Sequence, residues 1–470
     1  MKVEQIYTGC LAQGAYYIVS DGEAAIIDPL REVQPYIDRA NHDGVKIKYI
    51  LETHFHADFV SGHITLAEKT GADIIYGPTA KTSFDAIIAE DNQEFKLGKV
   101  TLKILHTPGH TMESMTILLL DENGKEYAIF SGDTLFLGDV GRPDLAQKAT
   151  SLTQEQLAGL LFESLRNKIM VLPDDVIVYP GHGAGSACGK NMMKETVDTL
   201  GNQKKMNYAL RADMTKEQFI KEVTDGLLPP PAYFPQNVMM NKEGYENIDD
   251  ILNQGDKPLS PKEFKQMVEQ HDALVLDVRD QEEYGKVHIP KSVFIGINGN
   301  FAPWVGTLIK DVNQPIVLVT PKGKEKETVT RLARVGFDKT LGYLDGGIEA
   351  WKKANYETDS IATITADELA HESHQNPTIF DVRALNEYRS EHVENAINVP
   401  LSDLNDKMAT FKAQEDNFYI HCKSGYRSMI AASILKARGI HNFIDINGGF
   451  EALAKSNIAK TEFVCPTTLS

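Results

Sequence analysis

Short apolar runs alternate with amphipathic segments along the first 180 residues. The runs predict strands at residues 16–19, 24–27, 47–51, 100–105, 115–120, 126–130 and 176–179. Asp21-Gly22 separates the first two runs and is typical of the turn of an antiparallel hairpin. Helical periodicity at residues 61–70 and 153–167 predicts helices that cover the outer faces of the sheets.

The C-terminal part has a different pattern, and the pattern occurs twice. The residue types and spacing of Asp277, Glu283 and His288 are repeated farther along the chain by Asp381, Glu387 and His392. In each copy, β-branched runs (273–276 and 316–319, then 378–380 and 418–421) precede a helical segment (328–335, then 428–437). This order predicts a tandem duplication of an α/β unit with a largely parallel sheet.

Two breaks in the pattern predict the domain boundaries. Residues 227–235 contain four prolines, which we expect to exclude a helix; they predict the exit from the first domain and a linker that continues to about Pro258. The second break lies at residues 359–364, before Thr365, which we expect to cap a helix. The predicted domains are residues 1–240, 258–358 and 363–470.

Composition supports this division and excludes some functions. A chain of 470 residues with 42% hydrophobic and 24% charged residues is expected to form about three folded domains at roughly 150 residues each. The formal net charge of −18 repels a phosphate backbone, so we expect no nucleic-acid partner. No basic start, no long apolar run and no paired cysteine spacing occurs, which predicts a cytoplasmic protein without a membrane partner or a disulfide framework.

Histidine and aspartate side chains cluster where predicted strands end. Any one of them, taken singly, would more often be an ordinary surface or core residue. Together, emerging from successive strand ends, they are suited to hold one cation, and imidazole with carboxylate favours iron or zinc. The set comprises His54, His56, Asp58, His110, Asp133 and His182.

The HxHxD run with later Ser-Gly-Asp and Pro-Gly-His segments resembles the metallo-β-lactamase superfamily. The resemblance covers about residues 1–226 and implies an αββα sandwich. Where the binuclear hydrolases of that superfamily have a final histidine, this chain has Phe59, which cannot ligate. The departure favours a mononuclear centre.

That departure, together with the segment Gly138-Asp139-Val140-Gly141-Arg142-Pro143-Asp144, resembles the persulfide dioxygenases of the superfamily. The resemblance implies one Fe(II) per chain on His54, His110 and Asp133, with zinc as the alternative metal. His56, Asp58 and His182 would orient the ligands, and direct ligation by His56 stays an alternative. Arg142 would bind a carboxylate or sulfur oxyanion, unless it belongs only to a rigid loop. Cys188, near His182, is an auxiliary thiol at the pocket entrance or a passive one.

Cys422 stands directly after an apolar strand and before a helix, where backbone N–H groups converge. Those amides, together with Lys423 and Arg427, favour the thiolate. The loop resembles the active-site loop of rhodanese sulfurtransferases, which implies that Cys422 is the nucleophile and Arg427 a catalytic residue. The anion cradle would be formed by Lys423, Ser424, Gly425, Tyr426 and Ser428. Asp381 with Arg383 is better explained as a buried structural pair.

The middle copy lacks the nucleophile, because Thr320 or Pro321 stands where the third domain has Cys422. We expect it to be catalytically silent and to serve as a spacer, a docking surface or an oligomer contact. Cys465, in the C-terminal tail, has no comparable surroundings.

Together the resemblances imply that a low-molecular-weight thiol persulfide and O₂ give sulfite and thiol, and that Cys422 then passes a sulfane sulfur to sulfite, forming thiosulfate. Family members often assemble as homo-oligomers. One alternative is a zinc-dependent thioester hydrolase of the glyoxalase II type. Another is a sulfur-relay protein that does not use oxygen.

Overall fold

The computed structural model describes residues 1–145, 151–227, 229–372 and 377–465. It divides into two compact units, one of residues 1–248 with 333–336 and one of residues 249–332 with 337–470. Leu228, within the predicted domain exit, lies outside the described residues.

In its described residues, the first unit contains two six-stranded sheets with strands in sequential order. The first sheet consists of β1 (Lys2–Thr8), β2 (Gln13–Ser20), β3 (Glu23–Ile27), β4 (Lys46–Glu52), β5 (Asp73–Tyr76) and β6 (Ile87–Ile88). The second sheet consists of β7 (Glu94–Leu97), β8 (Val100–His106), β9 (Met115–Leu120), β10 (Glu126–Gly132), β11 (Ile177–Pro180) and β12 (Asp198–Thr199). The helices are α1 (Gln34–Asp43), α2 (His63–Thr70), α3 (Gln154–Ser164), α4 (Leu200–Met206), α5 (Lys216–Thr224) and α6 (Phe234–Glu243).

Three apolar clusters join these elements into four layers. Alternate residues of both sheets, such as Ile18 and Ile117, form a central cluster between the sheets. The opposite face of the first sheet packs on α1 and α2, and that of the second sheet on α3 and α5. The αββα sandwich expected from the sequence is therefore confirmed, because each strand has one face for the partner sheet and one for a helix.

The predicted linker is wrong in part. Residues 234–258 contain α6 and a further helix, α7 (Ile248–Gly255). Pro235 stands in the first turn of α6, where proline leaves no additional N–H group unpaired and its fixed φ angle suits a helix. The cluster of prolines therefore precedes and starts a helix instead of excluding one.

The second unit contains two five-stranded parallel sheets in its described residues. The first has the order β13-β17-β16-β14-β15, from β13 (Pro258–Leu259), β14 (Leu274–Asp277), β15 (Val293–Phe294), β16 (Ile316–Val319) and β17 (Thr340–Leu344). The second has the order β18-β22-β21-β19-β20, from β18 (Thr363–Ile364), β19 (Ile379–Asp381), β20 (Ile397–Asn398), β21 (Phe418–His421) and β22 (Phe443–Ile446).

Helices surround both sheets. Those of the middle copy are α8 (Pro261–His271), α9 (Gln281–Lys286), α10 (Phe301–Leu308), α11 (Glu325–Ala333) and α12 (Gly347–Lys353). Those of the third domain are α13 (Ala366–Glu372), α14 (Leu385–Ser390), α15 (Met408–Lys412), α16 (Tyr426–Ala437) and α17 (Gly449–Leu453). The predicted pair of parallel α/β units is confirmed, and Thr365 caps α13 by accepting a hydrogen bond from the Glu368 N–H at 3.2 Å. In the described ranges, none of the helices has the length and apolar character needed to cross a membrane.

Candidate functional sites

His54, His110 and Asp133 meet at the carboxyl-terminal ends of β4, β8 and β10, and all three are buried. The Asp133 Oδ2 atom lies 3.9 Å from His54 Nε2 and 3.5 Å from His110 Nε2. Oδ2 has no hydrogen-bond partner among the described residues. Two imidazoles and an orphaned carboxylate oxygen in a buried cluster suit a divalent cation. The structure thus brings together the three predicted ligands.

Hydrogen bonds fix which nitrogen of each imidazole faces this cluster. His110 Nδ1 lies 2.9 Å from the Arg142 carbonyl oxygen, which can only accept, so Nδ1 carries the proton. The Thr53 hydroxyl donates to Asp28 at 2.8 Å and therefore accepts from His54 Nδ1 at 2.9 Å. Both Nε2 atoms keep their lone pairs for a metal. Burial lowers the pKa of His54 well below its usual value, which keeps the ring neutral.

His182 lies between two carboxylates. Its Nδ1 is 2.8 Å from Asp133 Oδ1, and its Nε2 is 2.8 Å from Asp58 Oδ2. Although burial opposes protonation, Asp133 and Asp58 raise the pKa of His182 well above its usual value. In this arrangement both ring nitrogens donate, so His182 orients the Asp133 carboxylate.

His56 faces a separate pair of buried carboxylates. Its Nε2 lies 3.1 Å from Asp28 Oδ1 and 3.4 Å from Glu52 Oε2. Burial opposes protonation, but these acids raise the pKa of His56 to about 10. His56 Nδ1 has no partner among the described residues, and the ring centroid is 4.2 Å from that of His54. Ligation through Nδ1 therefore stays an alternative.

Cys188 is buried beside Asp58 and His182, and one ligand atom from each lies within 4.8 Å of the others. Burial raises the pKa of the Cys188 thiol well above its usual value, and Asp58 and Asp133 raise it further. The sequence suggested either an auxiliary thiol at the pocket entrance or a passive one. Cys188 is 1% exposed and is not among the residues that line the pocket described below, so its place is beside Asp58 and His182 and not at the entrance.

The Arg142 side chain is already bound to protein groups. The guanidinium donates to both carboxylate oxygens of Asp144 at 2.7 Å and to the Ala187 carbonyl at 3.2 Å. Its backbone carbonyl accepts from His110, as described above. Arg142 thus positions His110, a predicted metal ligand, through its main chain, a contribution that the motif did not reveal.

Two further residues hold the cluster in place. The Asn241 side chain on α6 donates to the carbonyls of His56 and Phe59 at 2.8 Å and accepts from the Ser61 N–H at 2.8 Å. At Gly181, which precedes His182, a Cβ atom would lie only 2.6 Å from Asp133 Oδ1, so the lack of a side chain leaves room for this carboxylate. Asn241 lies far along the chain, and the sequence carries no spacing signal for it.

A pocket of about 350 Å³ reaches His110 from the surface of the first unit. Phe55, Met112 and Val238 are among its apolar residues, and Lys81 and Lys242 also line it. Its volume is in the range of pockets that bind small organic molecules, which is about 300–1,000 Å³.

The second candidate site is the loop between β21 and α16. Cys422 is 1% exposed, and the Gly425 N–H donates to its sulfur at 3.1 Å. Gly425 has a φ angle of +105°, which is accessible to glycine at this turn. The loop thus presents the sulfur at the start of α16, where N–H groups and the helix dipole favour an anion.

The predicted cradle residues differ in what they contact. Arg427 donates to both Glu387 carboxylate oxygens at 2.6 and 2.9 Å, and Lys423 lies 3.9 Å from Glu451. The Tyr426 hydroxyl donates to the Gly296 carbonyl and the Ser428 hydroxyl to the Gly425 carbonyl. Ser424 lines a pocket beside the loop. As expected, Asp381 and Arg383 form a buried ion pair, at 2.6 Å.

Family models match both parts of the chain. The model of the metallo-beta-lactamase superfamily matches residues 8–182, and the model of the rhodanese-like domain matches residues 260–354 and 365–456.

Individual relatives and a solved structure also match the chain. Hydroxyacylglutathione hydrolase GloC of Haemophilus influenzae is 31% identical over 213 residues, which are 40% of this chain and 94% of that protein. The mitochondrial persulfide dioxygenase ETHE1 of Homo sapiens is 28% identical over 220 residues, which are 46% of this chain and 78% of that protein. A solved metallo-beta-lactamase from Staphylococcus aureus subsp. aureus COL has a TM-score of 0.64 and 32% identity, covering 73% of this chain and 98% of that one. The chain spans only 59% and 57% of the length of two other curated relatives.

Proposed function

Because the chain belongs to the metallo-β-lactamase superfamily and carries two rhodanese-like domains, we propose that it couples oxidation of a thiol persulfide to a sulfur transfer. In the first reaction a low-molecular-weight persulfide RSSH, O₂ and water give the thiol RSH and sulfite. In the second, Cys422 takes the outer sulfur of another persulfide and passes it to sulfite, which leaves as thiosulfate. The substrates are thus RSSH, O₂ and sulfite.

The donor set of the first site supports one metal ion. Three atoms are available to a metal. The Nε2 atoms of His54 and His110 keep their lone pairs, because the Nδ1 atoms make the hydrogen bonds, and Asp133 Oδ2 has no hydrogen-bond partner among the described residues. Both nitrogens of His182 are engaged by carboxylates, and Phe59 offers no ligand atom. The cluster of His54, His110 and Asp133 thus has free ligand atoms, whereas the neighbouring positions of His182 and Phe59 have none. This difference is the observation that carries the proposal. Iron(II) held by two imidazoles and a carboxylate would supply the redox chemistry that O₂ activation requires.

The residues around that set have definable tasks. Thr53 and the Arg142 carbonyl hold the two imidazoles in the ligating tautomer, and His182 orients Asp133. The apolar walls of the adjoining pocket limit the access of water to the persulfide. Cys422, at the start of α16, is placed to attack a sulfane sulfur as a thiolate.

A thioester hydrolase is the second candidate. It is favoured by Cys188, which joins Asp58 and His182 in a buried group that could hold a second cation, and by the similarity to hydroxyacylglutathione hydrolases. The hydrolase requires two metal ions per chain. It also requires that His182 give up its hydrogen bond to Asp133 or Asp58, so that one ring nitrogen is free to bind a metal. A sulfur relay without oxygen chemistry is the third and requires no redox-active metal.

Oxygen consumption by the anaerobically iron-loaded chain tests the proposal. Adding a thiol persulfide should start O₂ uptake that depends on both iron and persulfide and produces sulfite or thiosulfate. Zinc-loaded protein should show no uptake. Persulfide that stays intact with iron present, together with hydrolysis of a thioester by protein holding two metal ions, would refute the dioxygenase and favour the hydrolase.

A Cys188→Ala variant separates the two metal stoichiometries. In the proposed enzyme it keeps one iron per chain, because Cys188 is not one of the three ligands. In the hydrolase it loses the second metal and most thioesterase activity. Metal content by atomic emission gives the answer directly.

A further inference from the structure

A pocket of about 410 Å³ lies beside the Cys422 loop within the second unit. Ser424 and Gly425 line it on the side of the loop, and Gln281 and Lys286 of the middle copy line it too. Because small organic ligands occupy pockets of about 300–1,000 Å³, this one has room for the carbon skeleton of a thiol and not only for sulfite.

Asp445 contributes a buried carboxyl group to this pocket. The residue lies on β22, is 2% exposed, and its Oδ1 atom has no hydrogen-bond partner among the described residues. In the middle copy the same register position is Tyr343, which pairs with Leu318 as Asp445 pairs with Ile420. The fold therefore accepts an uncharged side chain at this position. A buried carboxyl group with one unsatisfied oxygen lowers stability, so its presence is not explained by the fold.

The surroundings of Asp445 favour a carboxyl group that keeps its proton. Burial raises its pKa to about 7, against smaller opposing effects of the Ser428 hydroxyl and the Ile446 N–H. The neighbouring strands contribute uncharged partners, Thr363 on β18 and Ile420 on β21.

Charged groups of the pocket lie at its exposed edge. Glu282 and Lys286, both on α9, are exposed, and Met429 on α16 is uncharged. An acid with a pKa near the working pH can both give and regain a proton during turnover.

Sulfur transfer to Cys422 creates a need for such a proton. When the Cys422 thiolate attacks the outer sulfur of RSSH, an S–S bond forms to Cys422 and the S–S bond to the carrier breaks. The electron pair of the broken bond leaves with the carrier as RS⁻. Alkyl thiolates are basic, with a thiol pKa of about 8.5, and the rate of thiol exchange depends on the acidity of the leaving thiol.

We propose that Asp445 is the general acid of this step and protonates the departing thiolate of a persulfide bound in the pocket. The carboxyl becomes a carboxylate, and the carrier leaves as RSH. The proton returns to Asp445 from the Cys422 persulfide when sulfite takes the outer sulfur, so the cycle closes without an external oxidant or reductant. The inference rests on the proposed sulfur transfer and adds the acid that serves it.

The dependence of the rate on the leaving thiol tests the role. Full-length protein is mixed anaerobically with aryl persulfides, which release acidic thiols, and with alkyl persulfides, which release basic ones. Mass spectrometry follows Cys422 persulfide formation in a single turnover. An Asp445→Asn variant should react about 100-fold more slowly with alkyl persulfides and much less slowly with aryl ones.

Controls distinguish catalysis from folding. Asp416→Asn alters an exposed acid of the same domain and should leave both rates unchanged. Asp445→Val, which suits a buried strand, should reproduce the selective loss of Asp445→Asn. Equal losses with aryl and alkyl donors, or no loss, would overturn the role of Asp445 alone. If the unaltered chain forms no Cys422 persulfide with any donor, the proposed sulfur transfer falls as well.

Discussion

The buried carboxyl of Asp445 ties the stability of the third domain to pH. Its pKa is about 7 in the folded chain and 3.8 as the ordinary value, so the folded state binds the proton more tightly. The resulting stability is complete below about pH 4 and is lost as the pH rises through 7. Asp445→Asn removes this dependence.

We therefore expect the free energy of unfolding of the unaltered third domain to fall, relative to Asp445→Asn, by a few kcal/mol (~1.4 kcal/mol per pKa unit) between pH 4 and pH 8. Denaturant unfolding, followed by a probe in that domain, measures the difference. Parallel pH profiles of the two proteins would contradict it.

Gly181 is the position at which one added methyl group should disturb the metal centre most directly. A Cβ atom there would lie 2.6 Å from Asp133 Oδ1, so this carboxylate, which now contacts His182 at 2.8 Å, must shift. Disturbing groups that orient ligands lowers metal affinity by about 10- to 100-fold. We expect Gly181→Ala to show such a loss in anaerobic Fe(II) titration. Gly9→Ala, whose Cβ meets nothing within 4 Å, is the matched control, and equal affinities would contradict the expectation.

Among the elements, α6 supports the metal-binding loop. Its Asn241 satisfies two carbonyls and one N–H of residues 56–61, all buried. Asn241→Ala leaves these groups without partners, at about 1–3 kcal/mol for each buried group. We expect a loss of at least 2 kcal/mol in unfolding free energy of the first unit and weaker iron binding. The control Gln236→Ala, at an exposed position of the same helix, should change neither quantity. An unchanged iron affinity in Asn241→Ala would show that residues 56–61 keep their conformation without Asn241.

The strands could be predicted because their sequences are short apolar runs, either alternating with polar residues or continuous, and turn residues bound each run. The same logic grouped the histidines and aspartates of the first unit, since side chains at successive strand ends converge whatever the loop between them. The choice of His54, His110 and Asp133 as the ligands came from the resemblance to persulfide dioxygenases and not from the spacing. The sequence does not predict helix α6, because a cluster of prolines usually excludes a helix, whereas Pro235 stands in the first turn of this one.

Asn241, Cys188 and Asp445 show where sequence reasoning ended. Asn241 and Asp445 act across long separations in the chain, so no local spacing marks them, whereas Cys188 lies near His182 in the chain but its contact with Asp58 is long-range. Asp445 also stands in an otherwise apolar strand, and a single acid in such a run is informative only when its burial and missing partner are known.

At the scale of the whole molecule, the proposed chemistry gives a reason for the fusion. In the proposed scheme, sulfite formed at the first site would be the acceptor at Cys422, and tethering two sites raises the effective concentration of what passes between them. The middle copy, which has no cysteine at the loop, contributes Gln281 and Lys286 to the pocket of the third domain. In the proposed scheme the middle copy would thus contribute to the pocket without a nucleophile of its own.

Replacing Cys422 separates the two reactions in the intact chain. Without the nucleophile no sulfane sulfur reaches sulfite, while the first unit keeps all its metal ligands. We expect Cys422→Ser to retain the rate of persulfide-dependent O₂ uptake and to release sulfite in place of thiosulfate. Cys465→Ser, which alters the exposed thiol near the C-terminus, should leave the products unchanged. Chromatography of the sulfur oxyanions measures the ratio, and a thiosulfate yield unaffected by Cys422→Ser would remove the third domain from the reaction.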